Sequence, residues 1–90
     1  MRDDEFEWDD WKAEQNVAKH DVTFAQARAA FDDPDRVEFD DLDPDEQRIR
    51  RFCRLGEKVL VVVYTEDGDR IRIISARRAN KHEQRTYFQQ

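Results

Sequence analysis

The chain opens with Phe6-Glu7-Trp8, an apolar–polar alternation that predicts a short first strand. Asp9 or Asp10 then caps a helix whose expected inner stripe holds Trp11, Gln15 and Ala18, widened by Ala13 and Val17. This helix is expected to stop near His20-Asp21, because Asp tolerates left-handed backbone. Thr23 and Gln26 then form a capping-box pattern, with Val22 and Ala27 at the positions of a hydrophobic staple. Phe24, Ala27 and Phe31 make the buried stripe of a second helix. Asp32-Asp33-Pro34 ends it, since the residue before proline avoids helical dihedrals.

From there the period changes to two. Arg36 to Asp40 alternates and reads as a strand, followed by an acidic loop from Asp40 to Glu46. Arg51 to Leu55 is a further strand with Gly56 in the turn after it, and Lys58 to Thr65 carries the strongest strand pattern. Asp67-Gly68 signals a tight hairpin leading into Arg70 to Ala76. Asn80, with Glu83 three residues on, caps a last helix running to about Phe88. The predicted order is β-α-α-β-β-β-β-α: one α+β domain over residues 1–90, with a mainly antiparallel sheet, two N-terminal helices and one C-terminal helix.

Pairing the hairpin about Asp67-Gly68 sets Thr65 against Arg70, Tyr64 against Ile71, Val63 against Arg72 and Val62 against Ile73. One face then carries Leu60, Val62, Tyr64, Ile71 and Ile73, and is the better core. The other carries Val61, Val63 and Ile74, interrupted by Arg70 and Arg72, and suits a phosphate site or a partner interface.

Composition narrows the function classes. A 42% charged fraction invites disorder, but ten clustered aromatics argue against it. Cys53 is the only cysteine, so no internal disulfide forms; it is expected in or beside a strand and is assigned no role. No apolar run approaches the ~20 residues of a membrane span. The acidic start, Met1 to Asp10, lacks a signal-peptide pattern, so a cytoplasmic location is expected. The net charge of −6 hides an asymmetry: the first 47 residues hold 17 of the 22 acidic groups, and the remainder holds 11 of the 16 basic ones. Twelve of those 16 are arginine, the residue suited to bidentate phosphate recognition.

No metal-ligand spacing, phosphate-binding glycine loop or Ser-His-Asp arrangement is present. The acidic run Asp40 to Glu46 lacks the ordered spacing of a calcium loop and reads as a solvated loop. What remains is a basic constellation: Arg70, Arg72, Arg77, Arg78, Lys81, His82 and Arg85, with Tyr64 and Tyr87 nearby. Metal-free RNA cleavage needs a base for the 2′-hydroxyl, positive charge for the pentacoordinate phosphate and an acid for the leaving oxygen. Arginine supplies the charge and histidine suits proton transfer. The same residues also suit a non-catalytic nucleic-acid-binding module, an interaction domain, or solvated surface pairs with the many carboxylates.

Several segments resemble the BrnT toxin family. They are Phe6-Glu7-Trp8-Asp9, then Lys12, Asn16, Lys19-His20, Val22 and Phe24, then Phe31-Asp32-Asp33-Pro34 and Val61 to Thr65. The run Arg70-Ile71-Arg72-Ile73-Ile74-Ser75-Ala76-Arg77-Arg78-Ala79 is the most distinctive, and Glu83, Arg85 and Tyr87 complete the match. Three departures stand out: Asp21 sits where the family usually has Gly, Arg48 to Arg54 is unusually rich in arginine, and the acidic N-terminal half is unusual for an RNA-cutting enzyme.

The resemblance implies the toxin half of a type II toxin–antitoxin pair, with a RelE-like ribonuclease fold that cuts RNA without a cofactor or metal and blocks translation. It implies a BrnA-like antitoxin partner in a hetero-oligomer, which reaches operator DNA only through the antitoxin, and no membrane. By the same resemblance Arg72 and Arg77 would stabilise the phosphate, with Lys19 beside them. His20 would act as general base or fix the helix end. Arg70, Arg78, Lys81 and Arg85 would contact the RNA backbone or the antitoxin. Tyr64 would stack on a base or sit in the core.

Overall fold

Strict alternation along the central strand divides the molecule into two layers of helix about one sheet. The computed structural model describes residues 1–90. Its elements are β1 (Phe6–Glu7), α1 (Asp10–His20), α2 (Phe24–Ala30), β2 (Val37–Asp41), β3 (Arg48–Leu55), β4 (Lys58–Asp67), β5 (Arg70–Arg78) and α3 (Lys81–Phe88). This is the expected element order. The sheet runs β1-β5-β4-β3-β2; β1 is parallel to β5 and every other pairing is antiparallel.

Leu60, Val62 and Tyr64 of β4 point to one face, where Cys53, Ile73 and Ala76 join Phe24 and Ala27 of α2 and its C-cap Phe31 in a buried cluster. Val59 and Val61 point to the other, where they meet Phe52, Ala79 and Tyr87 beneath α3. Both cap expectations hold. Thr23–Gln26 and Asn80–Glu83 form complete capping boxes, and Asp9 caps α1 through the Lys12 N–H. Asp21 ends α1 in the left-handed conformation, φ 54°.

Three expectations need correction. First, β3 starts at Arg48 rather than Arg51. The cross-strand partners Asp40 and Asp41 on β2 extend the ladder to Ile49 and Arg48, which an arginine-rich sequence conceals. Second, the hairpin closes on Gly68-Asp69, with Asp67 opposite Arg70 and Tyr64 opposite Ile73. The expected register was off by two residues as far as Tyr64 and Ile73, an even slip that leaves those side chains on their faces, and by three beyond, where Val63 meets Ser75 and Val62 meets Ala76. Third, α1 does not bury the expected stripe. Trp11 is 67% exposed and Gln15 and Ala18 face solvent, while Asn16 is the buried residue. The helix docks through a polar side chain on a strand edge, and of the expected apolar residues only Ala13 reaches the core.

Candidate functional site

The C-terminal half of β5 is an open sheet edge, since β1 pairs only with Ile71 and Arg72. Helix α1 covers this edge. The Asn16 side chain accepts from Ala76 N at 3.1 Å, donates to Ala76 O at 2.7 Å and also donates to Val22 O at 2.9 Å. That anchor sets the end of α1 beside β5, where Lys19, His20, Trp11 and Lys12 line a cleft of about 310 Å³ with Ile74 and Ser75.

Arg72 and Arg77 are five positions apart, and a regular strand would point them to opposite faces. A bulge between Val63 and Tyr64 of β4 leaves Ile74 without a partner. The partners of Arg72, Ser75 and Arg77 are therefore Thr65, Val63 and Val61, alternate residues of β4. All three β5 residues consequently share the face opposite α2, and Ser75 joins them to the Lys19–His20 cleft.

The two arginines differ in their partners. Arg72 is half-exposed and lies 4.0 Å from Glu7, its neighbour in the β1–β5 register. Arg77 donates through Nη1 and Nη2 to Glu83 Oε1 and Oε2, at 2.8 Å each, a bidentate pair. That hydrogen bonding raises the Arg77 pKa and holds the Glu83 carboxyl below its ordinary value, with the Asn80 backbone N–H assisting.

The other expected site residues are dispersed. Arg70 donates to Asp3 O at 2.7 Å and so ties down the N-terminal segment. Arg78 is exposed at the end of β5. Lys81 and Arg85 lie on the outer side of α3 with Phe88. Tyr64 is 1% exposed, its ring packed edge-on against Phe31 and its hydroxyl accepting from Arg51 at 3.0 Å. It belongs to the core and no base stacks on it, because both the ring and the hydroxyl are already engaged.

Sequence reasoning passed over four residues. Asn16 is a polar residue in an amphipathic helix, and only the strand edge explains it. Glu83 was read as a cap, and it is also the partner of Arg77. Glu7 is 9% exposed beside Arg72. Arg50 stands opposite Val63, which is opposite Ser75, so the three form a row across the same face. The arginine-rich run 48–54 was its only signal. No three His, Cys, Asp or Glu side chains converge as a metal-ligand set, and no helix is long and apolar enough to cross a membrane.

These features define a small α+β protein with an arginine-bearing sheet face. The profile of ribonuclease toxin BrnT of type II toxin–antitoxin systems matches residues 8–83, and the chain belongs to that family. A search of curated proteins gives no match. Membership makes the chain a ribonuclease toxin, with RNA as its target and an antitoxin as its partner.

Proposed function

We propose that the chain is one RelE-like toxin domain that cuts RNA endonucleolytically without a metal, at the face shared by Arg72, Ser75 and Arg77. The observation carrying this reading is the cleft in which Lys19 and His20 meet Ser75 on that strand. His20 takes the proton of the 2′-hydroxyl, since histidine exchanges protons near neutrality. The 2′-oxygen attacks phosphorus, the bond to the 5′-oxygen breaks, and that oxygen takes a proton from water in the open cleft. Arg72, Arg77 and Lys19 offset the charge of the pentacoordinate phosphate. Arg72 is the freer of the two arginines. Arg77 contributes its charge from a position held by Glu83.

Arg70, Arg78, Lys81 and Arg85 guide the RNA backbone or the antitoxin. The partner in this reading is a BrnA-like antitoxin in a hetero-oligomer that contacts operator DNA only through that antitoxin, and the toxin acts in the cytoplasm on translated RNA.

The test is incubation of antitoxin-free protein with RNA in excess EDTA. Wild type should leave 2′,3′-cyclic phosphate ends. Arg72→Ala/Arg77→Ala and His20→Gln should each lose about 10²–10⁴-fold in rate. Full activity in both variants, or loss of cutting in EDTA, would overturn the reading.

A further inference from the structure

Beside the proposed cleavage site, α3 and the β2–β3 edge enclose a second groove of about 270 Å³, lined by Phe39, Arg50, Phe52, His82, Glu83 and Thr86 together with Asn80. We propose that this groove is a nucleobase subsite for the nucleotide flanking the scissile phosphate, and that Phe39 and Arg50 make it select guanine. The inference rests on the cleavage site assigned above.

Arg50 is the first reason. Its guanidinium makes no hydrogen bond within the protein, although the chain holds 22 carboxylate residues. Its nearest carboxylate is Asp41 at 4.0 Å, beyond hydrogen-bond reach, and its Nε is buried without a partner. The Arg51 Nε is likewise buried without a partner, but Arg51 donates through Nη1 and Nη2, and Arg77 and Arg48 are also hydrogen-bonded within the chain. A guanidinium with a buried, unpartnered Nε and its outer donors open to the groove is organised for an acceptor from outside the chain.

The second reason is the surface around it. Phe39 lies on an edge strand and is 36% exposed, with its ring 5.1 Å from that of Phe52. The Arg50 guanidinium lies 5.8 and 6.0 Å from the two ring centroids. A phosphate has no use for such rings, whereas unpaired bases of RNA stack on aromatic and guanidinium planes. The arginine fork also matches the paired acceptors O6 and N7 of guanine. The His82 imidazole is exposed at the rim and makes no hydrogen bond to the chain, so it is free to meet a base edge.

The third reason is continuity. Phe39, Arg50, Val63 and Ser75 follow one another across β2, β3, β4 and β5 in register. Adjacent strands lie about 4.8 Å apart, so Arg50 is roughly 10 Å from Ser75, within the span of one nucleotide step and a side chain. Glu83 lines the groove and also holds Arg77.

The test uses RNA oligonucleotides that differ only in the nucleotides on either side of the cut. Wild type should prefer guanine at one of these positions. Phe39→Ala and Arg50→Gln should each shrink that preference about tenfold, with the loss in KM. Phe39→Leu, which keeps the apolar contact with Phe52 but not the ring, should shrink it as well and guards against misfolding. In parallel, a 2′-deoxy trinucleotide containing guanine should shift the His82 ring proton resonances saturably, and its cytosine counterpart should shift them less. Unchanged preference in folded variants, or a His82 signal that does not move, overturns the subsite. If His20 and Arg72 variants cut like wild type, the reaction roles above fail. Preference that still follows Phe39 and Arg50 would nonetheless uphold the subsite.

Discussion

Asn16 and Ala76 are joined as two neighbouring strands would be: one side-chain amide both accepts from and donates to the backbone of a single residue. The pairing satisfies an open sheet edge and fixes the helix that carries Lys19 and His20. A buried backbone N–H or C=O left without a partner costs about 1–3 kcal/mol.

Asn16→Ala leaves three such groups unmet, so it should destabilise by about 2–4 kcal/mol. Asn16→Asp should cost at least as much, because a carboxylate then faces the carbonyls of Val22 and Ala76. Urea unfolding measures both. A cost near zero for Asn16→Asp would show that the amide donors contribute nothing.

Asp21 is the one non-glycine residue with positive φ, and it carries a negative charge at the C-terminal end of α1. Both features are unfavourable there. Asp21→Gly should stabilise the fold by about 0.5–1 kcal/mol, which raises Tm by roughly 2–8 °C in a chain of this size. A lowered Tm would mean that the Asp side chain makes a contribution of its own.

Acid should weaken the fold through several carboxylates. Glu83 is held below its ordinary pKa by Arg77 foremost. Asp3 is pushed down to about 2 by the Phe6 backbone N–H, then by Arg28. Asp33 is raised by burial, yet falls on balance because the Tyr87 hydroxyl and the backbone N–H groups of Asp35 and Arg54 outweigh it. A carboxyl with a depressed folded pKa stabilises fully above its unfolded value, about 4, and loses that contribution as pH falls through the folded value. The urea midpoint should therefore be flat from about pH 5 to 7 with respect to these groups and drop between about 4 and 2. Glu83→Gln should reduce the size of that drop. A midpoint unchanged at pH 2.5 would contradict the linkage.

Cys53 is fully buried, and burial pushes its thiol up to about 12. Because the thiolate is the reactive form, the native protein should resist alkylation near neutral pH, and modification should track unfolding in urea. Rapid labelling of folded protein would require a local opening of β3.

Much of the fold was legible because local signals agreed with it. Thr23–Gln26 and Asn80–Glu83 announce helix starts, and Leu60, Val62 and Tyr64 announce the buried face. What stayed hidden depended on partners remote in sequence. The β3 extension needs Asp40 and Asp41 across the ladder. The inner side of α1 is set by the bare edge of β5, some 60 residues away. The site was half legible. Arg72, Arg77, Lys19 and His20 stand out as residue types in the resemblance, but the Glu83 grip on Arg77 and the unmet Nε of Arg50 exist only in three dimensions. Tyr64 shows the limit of residue type alone, since an aromatic among arginines proved to be core.

The unpaired Ile74 makes segment length a functional quantity in its own right. Removing that one residue restores an even ladder with every other partner kept: Arg72 stays opposite Thr65, Ser75 opposite Val63 and Arg77 opposite Val61, so no side chain changes face. A library of single-residue insertions and deletions should therefore accept the loss of one residue within 73–76 more readily than the gain of one, since a second extra residue stays unpaired or slides Arg77 from Val61 towards Val59. Within this strand the bulge is the one residue the ladder can spare without turning either arginine.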